Sequence, residues 1–96
     1  MYTAILHNLT NWVGLKGNHN EVIRLCDAGL QRCIEYGAYF SFAGLLYNKG
    51  YALVKLAHQD IARKYLQEAY YLNRARNKIQ SCEIIKCFAD ESGIEL

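Results

Sequence analysis

The feature that most constrains this sequence is its approximate repetition with a period of forty residues. When the chain is shifted by forty, Leu6 falls on Leu46 and Asn8 on Asn48, and further pairs agree in size and polarity. Periodicity of this kind is typical of an array of similar structural units packed side by side. The 96 residues hold two such units and a shorter remainder, so we expect one domain or a piece of one.

Each unit is predicted to contain two amphipathic helices. Leu9 and Val13 have the spacing of one helix face. Gly17 then suits a helix end with a positive φ, and Asn18 or Asn20 can cap the next helix. Proline, the strongest helix breaker, is absent from the chain. The pattern therefore favours long helices joined by short turns.

We predict an all-α fold of two antiparallel helical hairpins, over about 2–37 and about 40–76, with a C-terminal capping helix over about 78–92. Small residues recur where the two helices of a hairpin would cross, which lets the backbones approach closely. The residues predicted to face inward are Val22, Cys26, Gly29, Leu30, Cys33, Leu46, Gly50, Leu53, Ala57, Ile61, Ala62, Tyr65, Leu66, Ala69, Leu72, Cys82, Ile85, Phe88 and Ala89.

The second unit resembles a tetratricopeptide repeat. Segment 46–53, Leu-Tyr-Asn-Lys-Gly-Tyr-Ala-Leu, has the large–glycine–large pattern of that repeat's first helix. Ala62, Leu66 and Ala69 have the alanine–large–alanine pattern of its second. The chain departs from the pattern at Lys49, where an apolar residue is usual, and it lacks the closing proline. Its period also exceeds the roughly 34 residues of the family, and segment 32–37 accounts for the excess.

The whole stretch, including segments 83–86 and 93–96, further resembles the C-terminal sensor regions of Gram-positive transcriptional regulators. Those proteins join an N-terminal helix-turn-helix to tetratricopeptide-like repeats, and some of them bind signalling peptides. The resemblance implies a non-catalytic module that binds a peptide or protein, or dimerises, within a regulator. Since the helix-turn-helix half is not in this sequence, we expect a fragment of a longer protein. The alternative function is a stand-alone interaction adaptor without a regulatory role.

Candidate binding residues follow from the hollow flank that the first helix of each hairpin would line. Asparagine can donate and accept hydrogen bonds at once, and tyrosine combines an apolar face with a hydroxyl group. Equivalent polar residues lie forty apart on the two first helices. The alternative is that these are ordinary surface and half-buried positions of the repeats. The predicted ligand-binding residues are His7, Asn8, Asn11, Tyr47, Asn48 and Tyr51.

Charge and composition exclude several other classes of function. The net charge is only +2 and both signs are scattered, which predicts no direct nucleic-acid contact by this segment. The apolar runs are far too short to cross a membrane, and no signal peptide is recognisable. The serines lie in no nucleophile turn, and no glycine-rich phosphate loop is present. We therefore expect a cytoplasmic protein without enzymatic activity or cofactor.

The cysteines and histidines have no metal-ligand spacing. We predict that Cys26, Cys33, Cys82 and Cys87 are reduced core residues. His19 and His58 fall in predicted turns and are expected to be exposed. The first helix would expose apolar area at the end of the array, which favours a homo-oligomer through that face.

Overall fold

In a computed structural model, residues 2–37 and 41–96 are described, with side chains in the first helix described from residue 7 onward. Within these ranges the chain forms α-helices and no strand, which confirms the predicted all-α class. The fifth helix matches its predicted range to within one residue at each end. The helices are α1 (Tyr2–Leu15), α2 (His19–Tyr36), α3 (Phe42–Lys55), α4 (Gln59–Ala75) and α5 (Ile79–Glu91).

Several helices end at a residue whose backbone is left-handed. Gly17, Ala57 and Asn77 have φ angles of 78°, 64° and 59°. The next residue then donates its N–H to a carbonyl five positions back, as Asn18 does to Val13 at 3.4 Å. This Schellman arrangement satisfies carbonyls that the end of a helix would leave without a partner. The predicted positive φ of Gly17 is thus confirmed.

Left-handed residues recur at a regular interval along the chain. Gly37, which ends α2, has a φ of 64°, so the first four helices end at positive-φ residues 17, 37, 57 and 77. Consecutive members of these four are twenty residues apart and alternate members are forty apart, whereas Gly93, with a φ of 72° after α5, comes sixteen residues after Asn77. Each of these helices, together with the turn that follows it, therefore takes the same number of residues. This constant length explains why the sequence repeats after forty residues.

The helix starts agree with the predicted capping residues. Asn18 caps α2, since its side-chain oxygen accepts the backbone N–H of Glu21 at 3.4 Å. Glu21 and Asp60 lie in the first turns of α2 and α4, where a negative charge faces the positive end of the helix dipole. His58, the residue before α4, makes no side-chain capping hydrogen bond.

Each helix packs against the next one along the chain, and α1 also contacts α3. The buried apolar residues form two clusters, one of α2 with α3 and one of α3 with α4 and α5. Helix α3 belongs to both, so it joins them into one core. The first cluster is Val22, Cys26, Cys33, Leu45 and Ala52, and the second is Leu46, Leu53, Ala62, Leu66, Ala69, Ile85, Ala89 and Ile94.

Helices α3 and α4 approach each other closely at Gly50. A Cβ atom at this position would lie 2.8 Å from Leu66 Cδ2 and 3.4 Å from the carbonyl oxygen of Ala62. Only a hydrogen fits there, so the crossing predicted at the small residues Gly50 and Ala62 is present.

Four sequence predictions about burial are wrong. Ala57, predicted to face inward, is exposed, because it lies beyond the end of α3 in a left-handed turn. Cys87 is exposed, because it lies on the opposite side of α5 from the buried Ile85 and Ala89. His19 is half-buried, because it forms the first turn of α2 instead of part of a loose turn. Ile61, predicted to face inward, is 55% exposed in the first turn of α4.

The other three cysteines are buried as predicted. Burial, followed by the charge of the neighbouring Asp27, raises the pKa of the Cys26 thiol to about 12. At neutral pH this thiol is therefore protonated and unreactive, since the thiolate is the nucleophile and metal ligand.

The molecule is a flat slab of 34 × 31 × 19 Å. Its thin dimension equals roughly two helix diameters of about 10 Å each. Within the two described ranges, none of the helices combines the length and the apolar character that spanning a membrane requires.

Candidate functional site

A cavity of about 310 Å³ lies between α1, α3 and the start of α2, and we refer to it as the α1–α3 pocket. It is open to solvent and is lined by residues of α1, α2 and α3. No lining residue is an Asp, Glu, Lys or Arg. Its lining residues are Thr10, Asn11, Gly14, Leu15, His19, Val22, Tyr47, Asn48 and Tyr51.

The structure brings four of the six predicted binding residues to this pocket: Asn11, Tyr47, Asn48 and Tyr51. His7 does not line it, and Asn8 is an exposed residue of α1 that does not line it either. The role of all six as ligand contacts stays a prediction.

His7 lies between α1 and α3 instead. A Cβ atom at Gly44 would clash with the His7 ring, so the ring occupies the space that this glycine leaves. Burial lowers the pKa of His7 below its ordinary value, because the charged imidazolium loses hydration there. His7 therefore contributes to the packing of α1 against α3.

A hydrogen-bond network fixes the two asparagines of the pocket. Asn48 Nδ2 donates to Thr10 Oγ1 and to Asn11 Oδ1, each at 2.8 Å. Thr10 Oγ1 in turn donates to the carbonyl oxygen of His7 at 2.7 Å, and Thr10 is only 1% exposed. Since an amide nitrogen carries two protons, both donors of Asn48 are used.

The network determines which atoms stay available to a ligand. Among residues 7–37 and 41–96, neither Asn48 Oδ1 nor Asn11 Nδ2 has a hydrogen-bond partner. The pair therefore presents an acceptor on Asn48 and the N–H donors of Asn11, from two side chains that already hold each other in place. A site with fixed polar groups loses less entropy when it binds a ligand.

Aromatic rings form the wall opposite these amides. The Tyr51 ring stacks on Phe88 of α5, with centroids 4.6 Å apart and planes at 26°. Tyr47 meets Phe88 edge-on at 6.0 Å, and His19 lies tilted to Tyr51 at 6.3 Å. Phe88 does not line the pocket, but it supports both tyrosines from behind. The wall thus combines residues of α2, α3 and α5.

The Tyr47 hydroxyl of the pocket carries no charge around neutral pH. Burial, then Tyr51 and Glu91, raise the pKa of the Tyr47 hydroxyl above its ordinary value, so Tyr47 is protonated. One cation lies close to the lining without being part of it, since Lys55 Nζ is 5.2 Å from the Tyr51 ring centroid.

The sequence analysis left out three residues that shape this site. Thr10 was given no role, His19 was assigned to an exposed turn and Phe88 to the core. The forty-residue shift places Thr10 over the buried Gly50, which is a signal that Thr10 faces a neighbouring helix. His19 also carries a buried Nδ1 atom that has no hydrogen-bond partner in the described part of the chain.

A second cavity, of about 390 Å³, lies between the end of α4 and the start of α5. Its lining includes the exposed charged side chains of Arg74, Lys78, Glu83 and Lys86, of which Lys86 pairs with Asp90 at 3.6 Å. Side chains of this kind stay hydrated and mobile, so this cavity lacks the fixed polar groups of the α1–α3 pocket. Throughout residues 2–37 and 41–96, no group of three or more His, Cys, Asp or Glu could hold a metal ion.

Comparison with protein-family models, with curated proteins and with solved structures finds no match to this chain. The tetratricopeptide relationship is therefore still a resemblance of residues. Function has to be inferred from the geometry of the pocket.

Proposed function

We propose that this chain is a non-catalytic binding module that holds a segment of peptide or protein in the α1–α3 pocket. The observation that carries the proposal is the asparagine pair, which offers a donor and an acceptor beside an aromatic wall that contains no Asp, Glu, Lys or Arg. Peptide segments need exactly such complementary partners for their N–H and C=O groups when they leave water. Apolar pockets with a few fixed polar groups are the usual form of ligand sites.

The proposed architecture is a tetratricopeptide-like array, with α1/α2 and α3/α4 as hairpins and α5 as the cap. Three features support it: the left-handed helix ends at twenty-residue intervals, the close approach at Gly50, and the Tyr51–Phe88 stack between α3 and α5. In such an array α1 and α3 are the first helices of their hairpins, and the pocket lies on the flank they share.

The role of sensor in a transcriptional regulator rests on the sequence resemblance alone. In that role, ligand binding would favour one arrangement of the helices and so re-orient an attached DNA-binding domain. Reading the gene upstream of Met1 separates the two alternatives. A helix-turn-helix encoded there supports the regulator, and any other context supports the interaction adaptor.

The binding proposal can be tested with a display library of random eight-residue peptides selected on the immobilised protein. The enriched peptides are then titrated calorimetrically into the wild type and two single variants. Asn11→Ala removes the available donor and should weaken binding by about tenfold or more. Asn8→Ala is the matched control, because it removes the same side chain from an exposed position of the same helix that does not line the pocket.

Equal weakening by both variants, or by neither, contradicts the proposed site. Asn48 is a poorer choice for this test than Asn11, because its side chain also holds Thr10 in place. Thermal unfolding of each variant by circular dichroism shows whether a loss of binding reflects a loss of fold.

Self-association is a second candidate function, and the exposed apolar side chains of α1 favour it. Trp12 is 56% exposed and Leu15 is 87% exposed. Helix α1 contains no Asp, Glu, Lys or Arg, so two copies can face each other across a two-fold axis without like-charge repulsion.

Light scattering after size exclusion should give twice the monomer mass, and Trp12→Lys should restore the monomer. Ile84→Lys, at a 59% exposed site on α5, is the control, and a wild-type monomer contradicts this candidate.

A further inference from the structure

We infer that the α1–α3 pocket selects one extended ligand residue that has an uncharged apolar side chain. The backbone N–H and C=O of this residue must be free to form hydrogen bonds with the pocket. The inference rests on the proposed function and specifies which ligands the site takes. It follows from three properties of the pocket: fixed polar groups, a lining without Asp, Glu, Lys or Arg, and size.

The polar groups define how the ligand backbone is held. Asn48 can only accept, because both protons of its Nδ2 are donated to Thr10 and Asn11. Asn11 can donate, because both protons of its Nδ2 stay available, while its Oδ1 already accepts one hydrogen bond from Asn48. In an extended chain the N–H and C=O of one residue point to the same side, as they do toward a neighbouring strand. One extended residue therefore matches the pair, with its N–H on Asn48 and its C=O on Asn11.

The lack of Asp, Glu, Lys and Arg in the lining determines which ligand side chain the pocket accepts. None of the nine lining residues is an Asp, Glu, Lys or Arg, and Tyr47 is kept protonated. A charged side chain entering the pocket would lose hydration and find no opposite charge in the lining, which is strongly unfavourable. An aliphatic or aromatic side chain instead gains contact with the Tyr47 and Tyr51 rings and releases water from an apolar surface.

Size limits the buried part of the ligand to a short piece of peptide. A volume of about 310 Å³ is at the lower end of the range of roughly 300–1,000 Å³ that holds drug-sized ligands. The remaining residues of a longer peptide would lie outside the pocket. They would add affinity but little selectivity at this position.

The test uses single residues blocked as N-acetyl N′-methylamides, so that each probe carries one side chain between two amide groups. The phenylalanine, leucine, lysine and glutamate probes are titrated into ¹⁵N-labelled protein at millimolar concentrations. We expect the phenylalanine and leucine probes to shift the side-chain amide signals of Asn11 and Asn48, with at least about tenfold higher affinity than the two charged probes.

A fifth probe, in which the phenylalanine nitrogen is methylated, isolates the backbone contact. It keeps the side chain but cannot donate to Asn48 Oδ1, so it should bind about fivefold to tenfold more weakly than its parent. Equal binding of the methylated probe overturns the backbone assignment. Equal binding of the charged probes overturns the side-chain assignment.

A variant reverses the charge preference without touching the asparagines. Leu15 lines the pocket and is 87% exposed, so Leu15→Glu should fold normally and place a carboxylate at the pocket. The lysine probe should then gain at least about threefold in affinity relative to the leucine probe. If the ratio of the two affinities stays the same, selection by charge is wrong.

These outcomes are separable from failure of the proposed function. If selected eight-residue peptides bind and depend on Asn11 but the probes show no preference, the site stands and its selectivity is wrong. If no probe shifts any pocket signal, the inference is overturned, and the peptide titrations decide whether the binding function fails with it.

Discussion

Ala57 is a residue whose backbone conformation opposes its side chain. Its φ is 64°, in the left-handed region, where a Cβ atom costs about 1–2 kcal/mol. The equivalent Gly17 meets the same requirement without a Cβ. Ala57→Gly should therefore raise the free energy of unfolding by about 1 kcal/mol, after the entropy cost of glycine is subtracted. Urea unfolding followed by circular dichroism measures the change.

The control is Ala28→Gly, at an exposed position inside α2. This variant should lower the free energy of unfolding by about 1 kcal/mol, because glycine is a poor helix residue. Destabilisation by Ala57→Gly as well would contradict the strain assigned to Ala57.

His7 predicts a pH dependence of stability. Burial lowers its folded pKa below the unfolded value, so the unfolded chain binds the proton more tightly. Its contribution to stability is complete above the unfolded pKa, which is about 6.5, and is lost as the pH falls through and below that value. The melting temperature should therefore fall as the pH is lowered from 7.5 to 5.5. The melting temperature of the His7→Gln variant should fall less over the same range. His58→Gln, in an exposed turn, should keep the wild-type dependence.

Residues that are equivalent in sequence differ in their neighbours, which limits how far the site could be predicted. Asn48 is bonded to Thr10 and Asn11 of the preceding unit. Asn8 holds the same place forty residues earlier, but no described helix precedes α1, so Asn8 is exposed. Periodicity predicts which residues share a position. It does not predict what packs against that position, and the amide network depends on that packing.

At the scale of helices, Gly50 and Gly14 provide a matched pair of substitutions. A Cβ atom at Gly50 would meet Leu66 Cγ at 2.9 Å, inside a fully packed contact, whereas at Gly14 it would lie 3.6 Å from Val22 Cγ2. Gly50→Ala should lower the free energy of unfolding by about 1–2 kcal/mol, because overpacking outweighs the gain in helix propensity. Gly14→Ala should be neutral or stabilising by up to about 1 kcal/mol. The midpoints of thermal unfolding compare the two, and a stabilised Gly50→Ala would show that α3 and α4 can move apart.

Lys49 explains a departure from the repeat pattern. Its ammonium group donates to Asp27 of α2 at 2.5 Å and to the Tyr65 hydroxyl of α4 at 3.0 Å. Burial lowers the pKa of Lys49, but these hydrogen bonds more than compensate, so the pKa is raised overall. Lys49 thus connects α3 to the helices on both sides. Helix boundaries were predictable from Gly17, Asn18 and other local signals, whereas this bridge depends on three helices meeting.

At the scale of the whole molecule, α3 is the element on which the others depend. It contributes Leu45 and Ala52 to one buried cluster and Leu46 and Leu53 to the other. In the proposed array α1 and α5 are the end helices, whereas α3 contacts α1, α2 and α4. In stacked arrays, stability is close to a sum of contributions from neighbouring units, so the ends open first.

Amide hydrogen exchange should therefore be slowest in α3, next in α2 and α4, and fastest in α1 and α5. Exchange reports the free energy of local opening, which approaches that of global unfolding only where the buried core is densest. Leu45, Leu46, Ala52 and Leu53 are all at most 6% exposed, so α3 cannot open without disrupting both clusters. Mass spectrometry of peptic fragments measures this order. Equal protection of all five helices would indicate one cooperative bundle instead of an array, and the shared flank on which the binding proposal depends would lose its support.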